Sequence, residues 1–240
     1  NHKCVLDASE TGTGKTYVTV ALAMSLGLKP LIICPMAVVL TWKRVLNLFN
    51  CTYLGISNYE SLKDCRWYPS RHQDPELGCK EDCHVIKKVD KHTYEWLIPD
   101  DTLIVFDEAH RCKNRNTINA SLLLSTKDIP NKVLLLSATI ADRPKFFQVF
   151  SYVMNFITNL EEFRYFIKNY KDGEMNHFHK LIFPSHGARL RIKDLGSAFP
   201  KNQIMAESYQ MDEKTAHDIQ SQYDHIKTVA TQAKDNEEAS

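Results

Sequence analysis

Four short runs rich in Val, Ile and Leu constrain this chain more than any other feature: Lys3–Asp7, Leu31–Cys34, Leu103–Phe106 and Val133–Leu136. Each is bounded by polar or turn residues and lacks the polar–apolar alternation of a half-exposed strand, so each reads as a strand buried on both faces. Between them, Lys15–Leu26, Val38–Phe49, Thr117–Ser125 and Lys145–Ile157 carry apolar residues at three- and four-residue steps, the period of an amphipathic helix. Strand followed by helix, repeated, predicts a doubly wound α/β domain: a parallel sheet with helices on both faces and ligands at the carboxyl ends of its strands.

At 240 residues and 43% hydrophobic content the chain fits one large domain with a substantial core. The longest apolar stretch, Leu31 to Leu40, is interrupted by Pro35. It is about half of the ~20 residues that a membrane span requires, so no transmembrane helix and no membrane partner are expected. The chain opens on Asn-His-Lys rather than on Met with a basic and then apolar leader, so it is expected to be part of a longer protein and to carry no secretion signal. Seven cysteines are an odd count, and Cys4 and Cys34 lie inside strand-like runs. Reduced, intracellular thiols are expected, with nucleus or cytoplasm left open. A net charge of +1 excludes a globally basic protein, so any nucleic-acid contact must come from a local groove.

Two regions break the alternation. Residues 65 to 93 are rich in charge, His and Cys and poor in core residues, and read as an insertion or long surface loop. The segment from about Asp212 is polar and helical in pattern, and its last residues, Lys234–Ser240, are expected to fray.

Directly after the first strand comes Ala8-Ser9-Glu10-Thr11-Gly12-Thr13-Gly14-Lys15-Thr16, and then an apolar helix. Strand, glycine-rich turn and helix in this order is the context of a phosphate cradle. Gly12 and Gly14 let backbone N–H groups converge on an anion, and the helix N-terminus adds partial positive charge. Lys15 would reach the β- and γ-phosphates of a nucleotide and the Thr16 hydroxyl would ligate Mg²⁺, with Thr11 and Thr13 completing the loop. The general P-loop pattern asks for glycine where this chain has Ser9, and taken alone the segment equally fits an ordinary helix start.

A second element decides between these. Leu103-Ile104-Val105-Phe106 ends in Asp107-Glu108-Ala109-His110, adjacent acids at a strand end. Neighbouring side chains there point in different directions, so Asp107 can hold Mg²⁺ through its water shell while Glu108 orients or deprotonates the water attacking the γ-phosphate. Alone, the pair would also suit a capped strand-to-helix turn. A third strand leads into Ser137-Ala138-Thr139, two hydroxyls at another strand end. Three such elements at the ends of strands in one sheet converge on one crevice, and the conjunction points to hydrolysis of a nucleotide.

With these motifs assembled, the chain resembles the superfamily-two helicases and translocases, whose first RecA-like lobe carries an Ala-x-x-Thr-Gly-x-Gly-Lys-Thr loop, a DEAH box and a Ser-Ala-Thr motif. In that family the Ser9 position need not be glycine. Within it the chain is most similar to the Swi/Snf-type double-stranded DNA translocases. The similarity is carried by Pro35 with Trp42 seven residues on, by Ile56-Ser57-Asn58-Tyr59-Glu60-Ser61-Leu62, by Lys113-Asn114 after the box and by Arg143-Pro144 before an aromatic helix. It continues in Arg191-Ile192-Lys193-Asp194-Leu195 with Phe199-Pro200-Lys201, then Tyr209 and Met211. Two features depart from that branch: Ala138-Thr139-Ile140 stands where Gly-Thr-Pro is usual, and residues 65–93 have no counterpart.

The resemblance implies a RecA-like ATP-binding lobe over 1–205 and the start of a linker or second lobe over 206–240. It implies an ATP-driven translocase on duplex DNA whose second RecA-like lobe supplies arginine fingers. A strand-separating DNA or RNA helicase, or a degenerate lobe that binds nucleotide without hydrolysis, are the alternatives. It further implies that His110, Ser137 and Thr139 couple the nucleotide site to the strand-tracking elements, and that turns at Pro35, Asn58 and Tyr59 meet phosphates without reading bases. Lys168, Lys171, Lys180, Arg189, Arg191 and Lys193 form a basic stretch interspersed with acids, equally suited to a solvated surface. Cys65, His72, Cys79, Cys83 and His84 are of zinc-ligand type, but thirteen residues separate Cys65 from Cys79 and no Cys-x-x-Cys pair occurs, so a plain loop with scattered thiols is the favoured reading.

Overall fold

The computed structural model describes residues 2–69, 81–168, 175–198 and 212–238. The chain divides into two compact units, Asn1–Phe199 and Pro200–Ser240. In chain order the first unit contains β1 (Cys4–Asp7), α1 (Lys15–Ser25), β2 (Lys29–Cys34), α2 (Val39–Leu48), β3 (Gly55–Asn58) and α3 (Tyr59–Leu62). There follow β4 (Arg66–Pro69), β5 (Glu81–Asp82), β6 (Ile86–Lys88), β7 (Tyr94–Trp96), β8 (Thr102–Asp107), α4 (Ile118–Leu124) and β9 (Lys132–Leu136). Next come α5 (Gln148–Val153), α6 (Phe163–Lys168), α7 (Met175–Ile182) and β10 (Gly187–Ala188). The second unit contains α8 (Glu213–Glu238), which takes in 234–238 of the terminal segment, while 239 and 240 lie outside the described residues. No helix among the described residues is long and apolar enough to cross a membrane.

The sheet has eight strands in the order β10-β1-β9-β8-β2-β3-β4-β5. From β10 to β3 all pairs are parallel, and β4 and β5 add an antiparallel edge. Because successive side chains of a strand point to opposite faces, the apolar runs divide their residues between two cores. Leu31, Ile33, Ile104, Phe106, Val133 and Leu135 face Tyr59, Leu123, Phe147 and Phe178 on one side. Ile32, Cys34, Leu103, Val105, Leu134 and Leu136 face Val20, Ala23, Val39, Trp42 and Leu46 on the other. Helices α1 and α2 thus cover one face and α3, α4, α5 and α7 the opposite one, the layer order that the alternation of strand and helix predicts.

Three differences from that prediction have physical causes. The aromatic helix expected over 145–157 is a 3₁₀ turn, Pro144–Phe147, followed by the short α5, because Pro144 starts the turn and Asn155 adopts a left-handed φ of 64° after it. Of residues 65–93, expected as an insertion or loop, 70–80 lie outside the described residues, and the described parts are no bare loop: β4 extends the sheet, and Trp67, Tyr68, Cys83, Val85 and Ile86 are buried. β4 can pair here because β3 begins with glycine, since a Cβ on Gly55 would lie 2.3 Å from the Trp67 ring. Finally, β6 and β7 form a separate hairpin whose turn is closed by Asp90, which accepts from the His92 amide and the Thr93 hydroxyl. Trp96 anchors this hairpin beside α4 by donating from Nε1 to Ser125 Oγ at 2.8 Å.

Candidate nucleotide site

Strand register determines where the motifs meet. Asp7 pairs with Leu136 and Leu136 with Asp107, while Phe106 pairs with Ile33 and Cys34 with Asn58. The glycine-rich loop, the Ser-Ala-Thr segment, the acid pair, the Pro35 turn and the Asn58 turn therefore leave the sheet along one edge, at the strands' carboxyl ends.

In the loop, Gly12 and Gly14 have φ of 86° and 90°, left-handed values that a side chain would strain. Gly14 is the N-cap of α1 and provides no side-chain cap, and α1 has no acid in its first turn. The amides of that turn are thus unclaimed by a cap and unopposed by local negative charge, the requirements of an anion site. Lys15 Nζ donates to the carbonyl oxygens of Ser9 at 2.8 Å and Glu10 at 3.1 Å. Thr13 closes the loop by donating its hydroxyl to Glu10 O at 2.7 Å. Thr11 and Gly12 are exposed, and Thr16 is half-buried at the start of α1.

Ser9, where the general pattern has glycine, is nearly buried and accepts a hydrogen bond at 3.0 Å from the amide of Leu190. Glu10 takes part in the same clamp: its amide donates to Leu190 O, and its carboxylate accepts from the amide of Ile192 at 2.8 Å. Residues 188–192 therefore run along the loop from β10. Sequence reasoning missed this strap, because a two-residue strand carries no periodicity.

Asp107 is gripped from two neighbouring elements. Trp42 Nε1 donates to its Oδ2 at 2.7 Å, and Tyr59 Oη donates to its backbone carbonyl at 2.8 Å. Oδ1 accepts from the amide of Glu108 at 3.0 Å. Burial raises the Asp107 pKa above the usual carboxylate range, opposed by the Trp42 hydrogen bond and by the nearby charge of Lys15. Glu108 sits at φ 53°, ψ 49°, a left-handed conformation costing a non-glycine residue roughly 1–2 kcal/mol. Its carboxylate approaches His110 Nδ1 at 3.1 Å, and the same nitrogen lies 3.2 Å from Ser137 Oγ. Ser137 donates its hydroxyl hydrogen to Thr139 O at 3.0 Å. Oγ can then only accept, as can the Glu108 carboxylate, so Nδ1 carries the hydrogen. The acid pair, His110 and the Ser-Ala-Thr segment thus form one connected network.

The nucleic-acid residues named from the sequence lie along the same edge but differ in access. Pro35 is half-buried ahead of an exposed turn at Met36 and Ala37. Asn58 is buried, its side chain donating to Glu60 and accepting from Ser61. Tyr59 is fully buried with its ring facing the core, and Glu60 is the exposed residue of this turn. Of the basic stretch, Arg191 is tied to Asp194 at 3.0 Å, and Lys171 lies outside the described residues. Of the zinc-type residues, Cys83 is buried and Cys65 half-buried, and His72 and Cys79 lie outside the described residues. Among the described residues no three His, Cys, Asp or Glu side chains gather as a metal site. Phe199, Pro200, Lys201, Tyr209 and Met211 also lie outside them.

The family model described as DEAD/DEAH box helicase matches residues 1–147. A protein of Acanthamoeba polyphaga mimivirus, named "Putative ATP-dependent RNA helicase L364", is 34% identical over an alignment taking in 87% of this chain and 44% of that protein. The chain therefore spans less than half the length of this curated relative. Among solved structures, the Sulfolobus solfataricus SWI2/SNF2 ATPase core in complex with dsDNA superposes with a TM-score of 0.50 at 18% identity, over 79% of this chain and 40% of that one. At that identity the likeness is one of fold.

Proposed function

The chain belongs to the DEAD/DEAH box helicase family, and on that premise we propose that it is the first RecA-like lobe of an ATP-driven motor that translocates on duplex DNA. The observation carrying this reading is the register that sets the glycine-rich loop and Asp107-Glu108 on neighbouring strand ends, with Lys15 close enough for its charge to oppose the rise that burial gives the Asp107 pKa. Residues 206–240 are proposed as the start of the linker to a second lobe, and an intracellular location accompanies the reading.

The residues divide the work as follows. First-turn amides of α1 receive the phosphates, and Lys15 exchanges its two loop carbonyls for phosphate oxygens. Thr16 and Asp107 offer a hydroxyl and a carboxylate, the hard oxygen donors that magnesium prefers, and each Asp107 oxygen keeps a lone pair beyond its one hydrogen bond. Bound there, Mg²⁺ would neutralise charge developing on the phosphates. Glu108, fixed by its left-handed backbone and by His110, orients the attacking water and accepts its proton. His110 holds Ser137 on its other side, so a shift of the Ser137–Thr139 segment would reach the base directly.

A second reading, a strand-separating RNA helicase, is favoured by the name of the mimivirus relative. Steady-state ATPase of the whole protein with duplex DNA, duplex RNA and single strands, together with strand-displacement assays, separates the two. Stimulation by duplex DNA without strand separation supports translocation. Stimulation by RNA with unwinding supports the second reading.

A further inference from the structure

Trp42 is 1% exposed in the core between α2 and the sheet, and a buried indole N–H requires an acceptor. Of all groups there it takes the side chain of Asp107, 65 residues away, at 2.7 Å. The bond fixes which carboxylate oxygen faces α2, while Oδ1 is held by the Glu108 amide. With both oxygens tethered, the carboxyl plane cannot rotate about its terminal bond without breaking a hydrogen bond. Packing alone would not need this: phenylalanine could fill much of the same apolar space beside Val39, Leu46, Val105 and Leu136. Tyr59 holds the same residue differently, through the backbone carbonyl, which fixes the strand end but leaves the carboxylate free to turn.

We propose that Trp42 is a positioning residue of the magnesium site, orienting the Asp107 carboxylate through its indole N–H; this rests on the ATPase reading above. Groups that hydrogen-bond a metal-binding carboxylate set its orientation, and removing one typically costs roughly 10- to 100-fold in metal affinity. Trp42 also stands on the helix that follows the Pro35 turn, so the metal site is held from the element nearest the proposed nucleic-acid track.

The test is the magnesium concentration giving half-maximal ATPase of the whole protein, at saturating ATP and duplex DNA. Trp42→Phe should raise it by roughly 10- to 100-fold, while calorimetric binding of ADP in EDTA stays within about twofold of the native protein. Tyr59→Phe, which removes the other buried hydrogen bond to Asp107, should leave the magnesium half-point within a few-fold. An unchanged half-point in Trp42→Phe, or an equal rise in both variants, would overturn the proposal, the second because it would report a loosened strand end. Should Trp42→Phe not fold, the native protein still decides. The indole N–H resonance of Trp42 should shift when Mg²⁺ is added to the ADP-bound protein, and its failure to move overturns the proposal. A native protein without magnesium-dependent turnover would instead refute the ATPase reading itself.

Discussion

Ser9 and Leu190, 181 positions apart, are joined by a 3.0 Å hydrogen bond from the Leu190 amide to the Ser9 hydroxyl. It accounts for serine where the general pattern has glycine: the side chain is taken up by the Leu190 amide and secures the strap from β10. Ser9→Ala should leave that amide without its partner and destabilise the first unit by about 1 kcal/mol or more. Urea unfolding followed by circular dichroism would measure it, and an unchanged midpoint would show that the strap is held by Glu10 alone.

Lys15→Ala should abolish nucleotide-dependent activity of the whole protein. It removes a cation from a site where contacts to developing phosphate charge contribute several kcal/mol, on the order of 3–4 by analogy with single oxyanion donors. Its stability should hardly change, because Lys15 donates only to its own loop. Loss of activity with an unchanged melting temperature is the expected pairing.

Glu108 places function and stability in opposition. Glu108→Gln keeps shape and polarity but cannot take a proton, so ATP affinity should survive while turnover collapses. Glu108→Gly should also lose turnover, yet gain up to about 1 kcal/mol of stability, because glycine relieves the left-handed backbone at φ 53°. The lost pair with His110 is half-exposed and offsets little of that gain. A calorimetric melt of both variants checks the ordering.

The buried thiols give a prediction independent of the nucleotide. Burial pushes Cys4 and Cys112 up to about 12, and it raises Cys34 further, where the Asp107 charge adds to the effect. Near pH 8 these sulfurs are protonated and shielded, so iodoacetamide should spare them in the native protein and label all seven cysteines after unfolding. Mass mapping that found Cys34 labelled quickly would mean that the carboxyl end of β2 is open to solvent.

How much of this was legible in the sequence depended on the reach of each signal. The central strands were readable because parallel strands buried on both faces need unbroken apolar runs, as Ile32 to Cys34 and Leu103 to Phe106 supply. The loop and acid pair were readable because their chemistry fixes residue types at fixed local spacing. β3 was missed as a strand because Gly55-Ile56-Ser57-Asn58 is half polar, and its burial depends on Trp67 packing against Gly55. β4 and β6 fall in the segment read as an insertion or loop, and β7 in no predicted element, because their buried residues, Trp67, Tyr68, Val85, Ile86, Tyr94 and Trp96, come in ones and twos among polar residues. The grip of Trp42 on Asp107 spans 65 residues and leaves no local trace at all. What lay within one element was legible, and what one element does for another was not.

Residues 1–240 alone should fold but hydrolyse little ATP. An arginine supplied from outside the lobe accelerates turnover by about 10³ to 10⁵ in related P-loop enzymes, and on the proposed reading it would come from a second lobe. Duplex binding by this segment should be weak, with a shallow salt dependence, since part of the phosphate contacts would lie on that other lobe. Robust stimulated turnover by the segment would place a complete site within it.

The most direct test of the account is steady-state ATPase of the whole protein with and without saturating duplex DNA, alongside Lys15→Ala. A nucleic-acid motor built on this lobe predicts turnover that depends on magnesium, rises severalfold or more with duplex, and vanishes in the variant. Turnover indifferent to nucleic acid, or surviving Lys15→Ala, would contradict it.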